Sequence, residues 1–202
     1  MSASTIDIPG QASETKVCPS FEPALEVLGV NAKAKIKKEA ADDAARVLKA
    51  TFRLLAPVEP VGIAEELDTR VVEMDLEEDI LGMLRIKPGD ETKICLNMHH
   101  GVLRRRLTCA LELGHYVRHA PKATEYGRID RRTDRSTSGD DADLIYAEEF
   151  AAWLLMPQSE FRALAELGVD ELEIALRFQV PRDVVQRKLT DLGFRATELS
   201  EA

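Results

Sequence analysis

Two side chains near the middle of the chain, Glu112 and His115, stand at a spacing from which hydrolytic chemistry can be built. On a helix reading His-Glu-x-x-His, the two histidines share one face and bind a metal ion. The glutamate between them takes a proton from metal-bound water. The pentapeptide here is Leu111-Glu112-Leu113-Gly114-His115, so the base and the second histidine are present and the first histidine is leucine. An isolated Glu-x-x-His is common in ordinary helices, so its meaning depends on what surrounds it. His119 lies four residues beyond His115, on the same helical face one turn away.

The elements that would carry these residues are legible from periodicity. A helix is expected over about 102–119 and a second over about 142–155, stopped at Met156-Pro157. An earlier helix over about 34–55 shows an apolar stripe of Ile36, Ala40, Ala44, Val47, Leu48 and Phe52. A short helix follows over 61–67. Three strand-like runs cover 70–74, 80–86 and 93–98, and Pro88-Gly89-Asp90 joins the last two as an antiparallel hairpin. Residues 121–141 are polar and punctuated by glycine, which reads as a long surface loop. The stretch 170–194 reads as two short helices broken at Val180-Pro181, a pair with the outline of a helix-turn-helix. Residues 1–20, rich in Ser and Thr, are expected to be disordered.

The segment RRRLTCALELGHYVRH, followed at a distance by EEFAAWLLMP, resembles the ImmA/IrrE family of zinc peptidases. Arg105, Thr108, Ala110, Glu112, Leu113, Gly114, His115, Tyr116 and His119 fall in register with that family's active-site helix. Ala147, Phe150, Ala151, Leu154, Leu155, Met156 and Pro157 match its next conserved helix. Asn97 at the end of an apolar strand and the loop Arg135–Gly139 are similar to the family as well. The resemblance spans about residues 35–195. It implies an α+β, zincin-like fold with a small three-stranded sheet, a central active-site helix and a helical C-terminal part. The implied division is a flexible segment over 1–30, the zincin-like domain over 31–157 and a helical subdomain over 158–202 packed on it.

Carried over by resemblance, Glu112 takes the place of the general base and His115 that of the second zinc ligand. Leu111 stands at the first ligand and Leu144 at the third, with Glu148 at a position that is Asn in the family. A catalytic zinc site takes three protein donors and an open position for water. Leucine has no lone pair to give, so the expectation is no cofactor and a vestigial base. His115 is then expected to be a neutral, hydrogen-bonded residue with Glu112 or Glu148 as partner. The alternative is zinc held by His115, His119 and Glu148 in an active endopeptidase that cleaves a transcriptional repressor. Family likeness further implies a regulatory protein partner, repressor-like or of a toxin–antitoxin pair, in a phage or mobile-element setting.

Bulk composition narrows the classes. The chain has 202 residues, is 45% hydrophobic and 31% charged, and carries a formal charge of −9. An acidic surface repels phosphate backbones, so duplex DNA is disfavoured as a partner of the whole molecule. DNA binding through the C-terminal helix pair remains the third reading. Between Gly101 and Arg135, however, nine cations outnumber four acids, and Arg104, Arg105, Arg106, Arg131 and Arg132 form a candidate basic binding patch. Cys18, Cys95 and Cys109 show no metal spacing and fit no disulfide framework. The absence of a secretory start and of any membrane-length apolar run points to the cytoplasm. Oligomeric state is left open.

Overall fold

A computed structural model describes residues 22–87, 89–122, 125–132 and 141–194. The expectations for residues 1–20 and for the loop Arg135–Gly139 lie outside the described residues, as does Cys18. The chain divides into two units, residues 1–32 and 33–202. Of the first, residues 22–32 are described, and they are helical.

The second unit is α+β. Helix α1 (Glu22–Ala50), whose residues from 33 onward belong to this unit, ends sooner than its apolar pattern suggests. Ala40, Ala44 and Leu48 are buried, but Phe52 has a left-handed backbone (φ +55°) and is 90% exposed, so it belongs to a turn and not to the stripe. Helix α2 (Pro60–Glu66) starts on a proline, whose missing N–H is not needed there. Strands β1 (Thr69–Met74), β2 (Ile80–Ile86) and β3 (Thr92–Asn97) fall where the alternation puts them. At the β2–β3 turn Gly89 takes φ +78°, and the Asp90 N–H donates to the Lys87 carbonyl at 3.0 Å. Asn97 closes the other end of the sheet. Its Nδ2 donates to the carbonyls of Glu77 and Ile80, both at 2.9 Å, and its Oδ1 accepts from the His99 N–H.

The sheet has four strands, not three. Within the segment that reads as a loop lies β4 (Tyr126–Arg131), and the order is β1-β3-β2-β4. β1 runs parallel to β3, while β2 is antiparallel to both β3 and β4. The β4 residues that turn inward are Tyr126, Arg128 and Asp130, so the strand lacks the apolar alternation by which strands are found.

Helix α3 (Val102–His119) is buried without interruption from Arg106 to His115. It packs on β2 and β3 on one side and on α4 (Ala142–Leu155) on the other. Gly114 permits the second contact: a Cβ there would stand 2.9 Å from the Ala147 Cα. Three helices follow: α5 (Gln158–Glu166), which the sequence reading passed over, α6 (Glu171–Phe178) and α7 (Arg182–Asp191). Gln179 ends α6 in the left-handed region at φ 53° and ψ 51°. Among the described residues no helix is long and apolar enough to cross a membrane.

Candidate functional site

The face of α3 turned to the sheet is polar although it is buried. Thr108, Glu112 and His115 recur at helical spacing and are at most 1% exposed. Glu112 lies under β2, where a Cβ on Gly82 would come within 2.9 Å of its Oε1. His115 meets β4: its Nε2 is 3.3 Å from Asp130 Oδ2, inside ion-pair range but off hydrogen-bond alignment. The His115 Nδ1 has no hydrogen-bond partner among the described residues.

Asp130 is the residue that sequence reasoning missed, and it stands beside His115. It is 3% exposed. Burial pushes its carboxyl upward, but His115 and the Arg128 guanidinium at 2.6 Å outweigh that and hold it below the usual carboxylate range. Arg128 reaches on to Asp141 at 3.3 Å. Asp141 caps α4, accepting from the backbone N–H groups of Asp143 and Leu144. Its carboxyl is lowered too, against the opposing push of burial, by those N–H groups and by Arg128. A polar chain thus runs from His115 through β4 to the start of the helix that carries Leu144. The only sequence signal for it was an acid and a base two residues apart in a segment read as loop.

Leu111 and Leu144 are core residues. Leu111 is 1% exposed and Leu144 3%, and both belong to the main apolar cluster. Fully burying each contributes about 1.5–3 kcal/mol. Leu111 also floors a cavity of about 200 Å³ between α3, α4 and α7, lined in part by Leu107, Ile145, Glu148, Val184 and Arg187.

The alternative ligands are not brought together. The His119 ring stacks on Tyr126 with centroids 4.2 Å apart, and its Nε2 is 3.2 Å from Asp143. Burial holds the His119 imidazole below its ordinary pKa even though Asp143 pulls it upward. Glu148 instead lines the cavity, 4.0 Å from Arg187. Among the described residues no group of three or more His, Cys, Asp or Glu could hold a metal ion.

Three of the five arginines of the candidate basic patch are tied to groups of the fold itself. Arg106 is 8% exposed and donates to the Val58 carbonyl at 2.6 Å, Glu59 at 2.8 Å and the Gln179 carbonyl at 3.3 Å. Arg105 holds Glu73 and the carbonyls of Met98 and His100. Arg131 bridges Glu77 and Asp79 across the sheet end. Arg104 is half-buried and Arg132 exposed. In the C-terminal pair the cations are similarly engaged: Arg182 with Glu171, Lys188 with Glu149, and Arg187 near Glu148 and Asp183. Of the thiols, Cys109 is buried and Cys95 half-buried, and burial raises the pKa of both.

The model of one protein family, Peptidase M78, described as the IrrE N-terminal-like domain, matches residues 64–190. The chain belongs to this family. The match begins in α2 and ends in α7, so the sheet, α3, α4 and the C-terminal pair all lie within the Peptidase M78 domain. No curated protein matches the chain. Among solved structures, a Mycobacterium tuberculosis transcriptional regulator shares the fold, with a TM-score of 0.54 and 17% identity. The likeness covers 75% of this chain and 47% of that one, so this chain spans about half the regulator's length.

Proposed function

We propose that this chain is a non-hydrolytic member of the Peptidase M78 family that holds a segment of a regulatory protein without cutting it. The observation that carries the reading is the pair Leu111 and Leu144, hydrocarbon side chains packed in the core where the family places metal donors. Without a metal-bound water of lowered pKa, Glu112 has no acid to deprotonate. Glu112 and His115 are both 0% exposed, which also keeps a substrate carbonyl from reaching them.

Binding survives the loss of chemistry because it uses other groups. β4 is an edge strand lying beside α3, and an extended peptide can add to such an edge through main-chain hydrogen bonds that need no metal. Family likeness makes the partner a repressor-like regulator or a toxin–antitoxin component, of phage or mobile-element setting, met in the cytoplasm. The regulator that shares the fold is in keeping with that choice.

Elemental analysis of protein purified without chelators tests the reading. The expected result is zinc far below one equivalent, unchanged by His115→Ala. Stoichiometric zinc that disappears in His115→Ala would restore the endopeptidase reading with an unusual ligand set.

A further inference from the structure

The sheet buries one face and leaves the other open. Gly82 faces Thr108 and Glu112 of α3, and Asp130 faces His115, so those positions mark the inner side. Because successive side chains alternate, Met83 and Ile129 point outward. The pairing register then lines up one outward residue from every strand: Val72 opposite Cys95, Cys95 opposite Met83, Met83 opposite Ile129. These four make an apolar stripe straight across the sheet. The first three are partly exposed and Ile129 is 48% exposed.

Two residues along the strands from that stripe runs a second outward row, Arg70, Lys93 and Arg85, in register with one another. On the far side of the stripe, Met74 and Arg131 continue the outward positions of β1 and β4. None of these outward strand positions carries an acid, in a chain whose net charge is −9. The carboxylates nearest the cationic row belong to the β2–β3 turn at its end. Glu91 is shared between Arg70 at 3.3 Å and Lys93 at 3.4 Å, and Asp90 stands 3.6 Å from Arg85. Three cations thus share two exposed acids.

We propose that this outer face is the docking surface for an acidic amphipathic helix of a protein partner. The dimensions favour a helix. Four strands about 4.8 Å apart make a stripe about 14 Å long, and successive turns of a helix present apolar side chains about every 5.4 Å. About three turns laid along the stripe put a leucine near each strand, with the helix's flanking carboxylates over the cationic row. Charge complementarity selects an acidic flank. A nucleic acid fits less well, since the face offers no aromatic ring on which a base could stack. A second copy of the chain fits less well too, because its own outer face would bring the same cations and no strand acid to meet them. Such docking uses outward side chains of the sheet and is separate from peptide addition to the main-chain edge of β4.

The test uses the full chain and two fluorescein-labelled, stapled helical peptides. Both carry leucines at i, i+4, i+7 and i+11, and one flank is glutamate in the first and lysine in the second. Anisotropy should show saturable binding of the glutamate peptide, about tenfold tighter than the lysine peptide and weakened by salt. Ile129→Glu, a change at a half-exposed position that the fold should tolerate, should abolish binding. Arg85→Glu with Lys93→Glu should reverse the preference between the peptides. Equal affinity for the two peptides, or binding indifferent to Ile129→Glu, would overturn the proposal. Three further results would also overturn it, each by naming another occupant: tighter binding of a single-stranded oligonucleotide, a dimer in sedimentation equilibrium that Ile129→Glu dissociates, or a cross-link within one chain from Lys93 to Lys16, the one lysine of the segment 1–20.

Discussion

Replacing Lys188 with methionine tests whether α7 is fastened to the domain by a buried ion pair and is therefore unavailable as a reading helix. The Lys188 ammonium bonds Glu149 on α4 and lies 5.1 Å from the centre of the Trp153 ring, while Trp153 Nε1 donates to the other Glu149 oxygen at 2.6 Å. The two charged side chains are 7% and 9% exposed, so solvent screens them little. Removing one member of a buried pair costs about 3–5 kcal/mol, since the other charge stays buried and unpaired. Trp153 keeps one donor on Glu149, which favours the lower end, about 3 kcal/mol. For a domain of ordinary stability, about 5–15 kcal/mol, that is a large fraction. At about 2 kcal/mol/M it moves the urea midpoint down by about 1.5 M. Trp153 is the only tryptophan in the chain, so its fluorescence during urea unfolding reads this junction directly. Adding Glu149→Gln removes the stranded charge and keeps an acceptor for Trp153, so the double variant should return to within about 1 kcal/mol of the wild type. A cost below about 1 kcal/mol for Lys188→Met, or a double variant less stable than the single one, would refute the reasoning.

The carboxyl of Asp130 is held below its ordinary value in the folded chain, so its ionisation stabilises the fold above the unfolded value near 3.8. That contribution is lost as pH falls from there through the folded pKa. Asp130→Asn should therefore flatten the acid limb of a stability–pH curve measured by urea titration, and an unchanged limb would count against the Asp130 network. In Gly82→Ala the new Cβ would sit 2.6 Å from Thr108 Cγ2, 2.9 Å from Glu112 Oε1 and 3.1 Å from the Cys95 carbonyl. Thermal denaturation should show a loss of about 1–3 kcal/mol, and a neutral result would mean that α3 does not lie that close to β2. Burial raises both described thiols, so thiol titration with a chromogenic disulfide should find Cys109 inert in the native state and Cys95 slow at pH 7 but faster at pH 9. Equal rates for the two cysteines would contradict their different burial.

What sequence alone determined were the elements whose side chains repeat with their own geometry. Helix α3 keeps both of its expected ends, as does α4, because apolar positions mark the buried stripes and Pro157 stops the second helix. Strands β1 to β3 lie within one residue of their alternation, and the Val180-Pro181 break separates α6 from α7.

Tertiary structure decided the rest, and the reason is that burial of polar groups leaves no periodic trace. β4 turns Tyr126, Arg128 and Asp130 inward because His119, Asp141 and His115 wait there, and those partners come from α3 and the start of α4. Read alone, the strand is as polar as a loop. Phe52 shows the converse: it fits the helical period, yet its left-handed backbone places it in solvent. Arg106 likewise counts as surface charge until the fold brings the Val58 and Gln179 carbonyls to its guanidinium. Local pattern encodes which face of an element is apolar, but the partner of a buried charge is chosen only when distant segments meet.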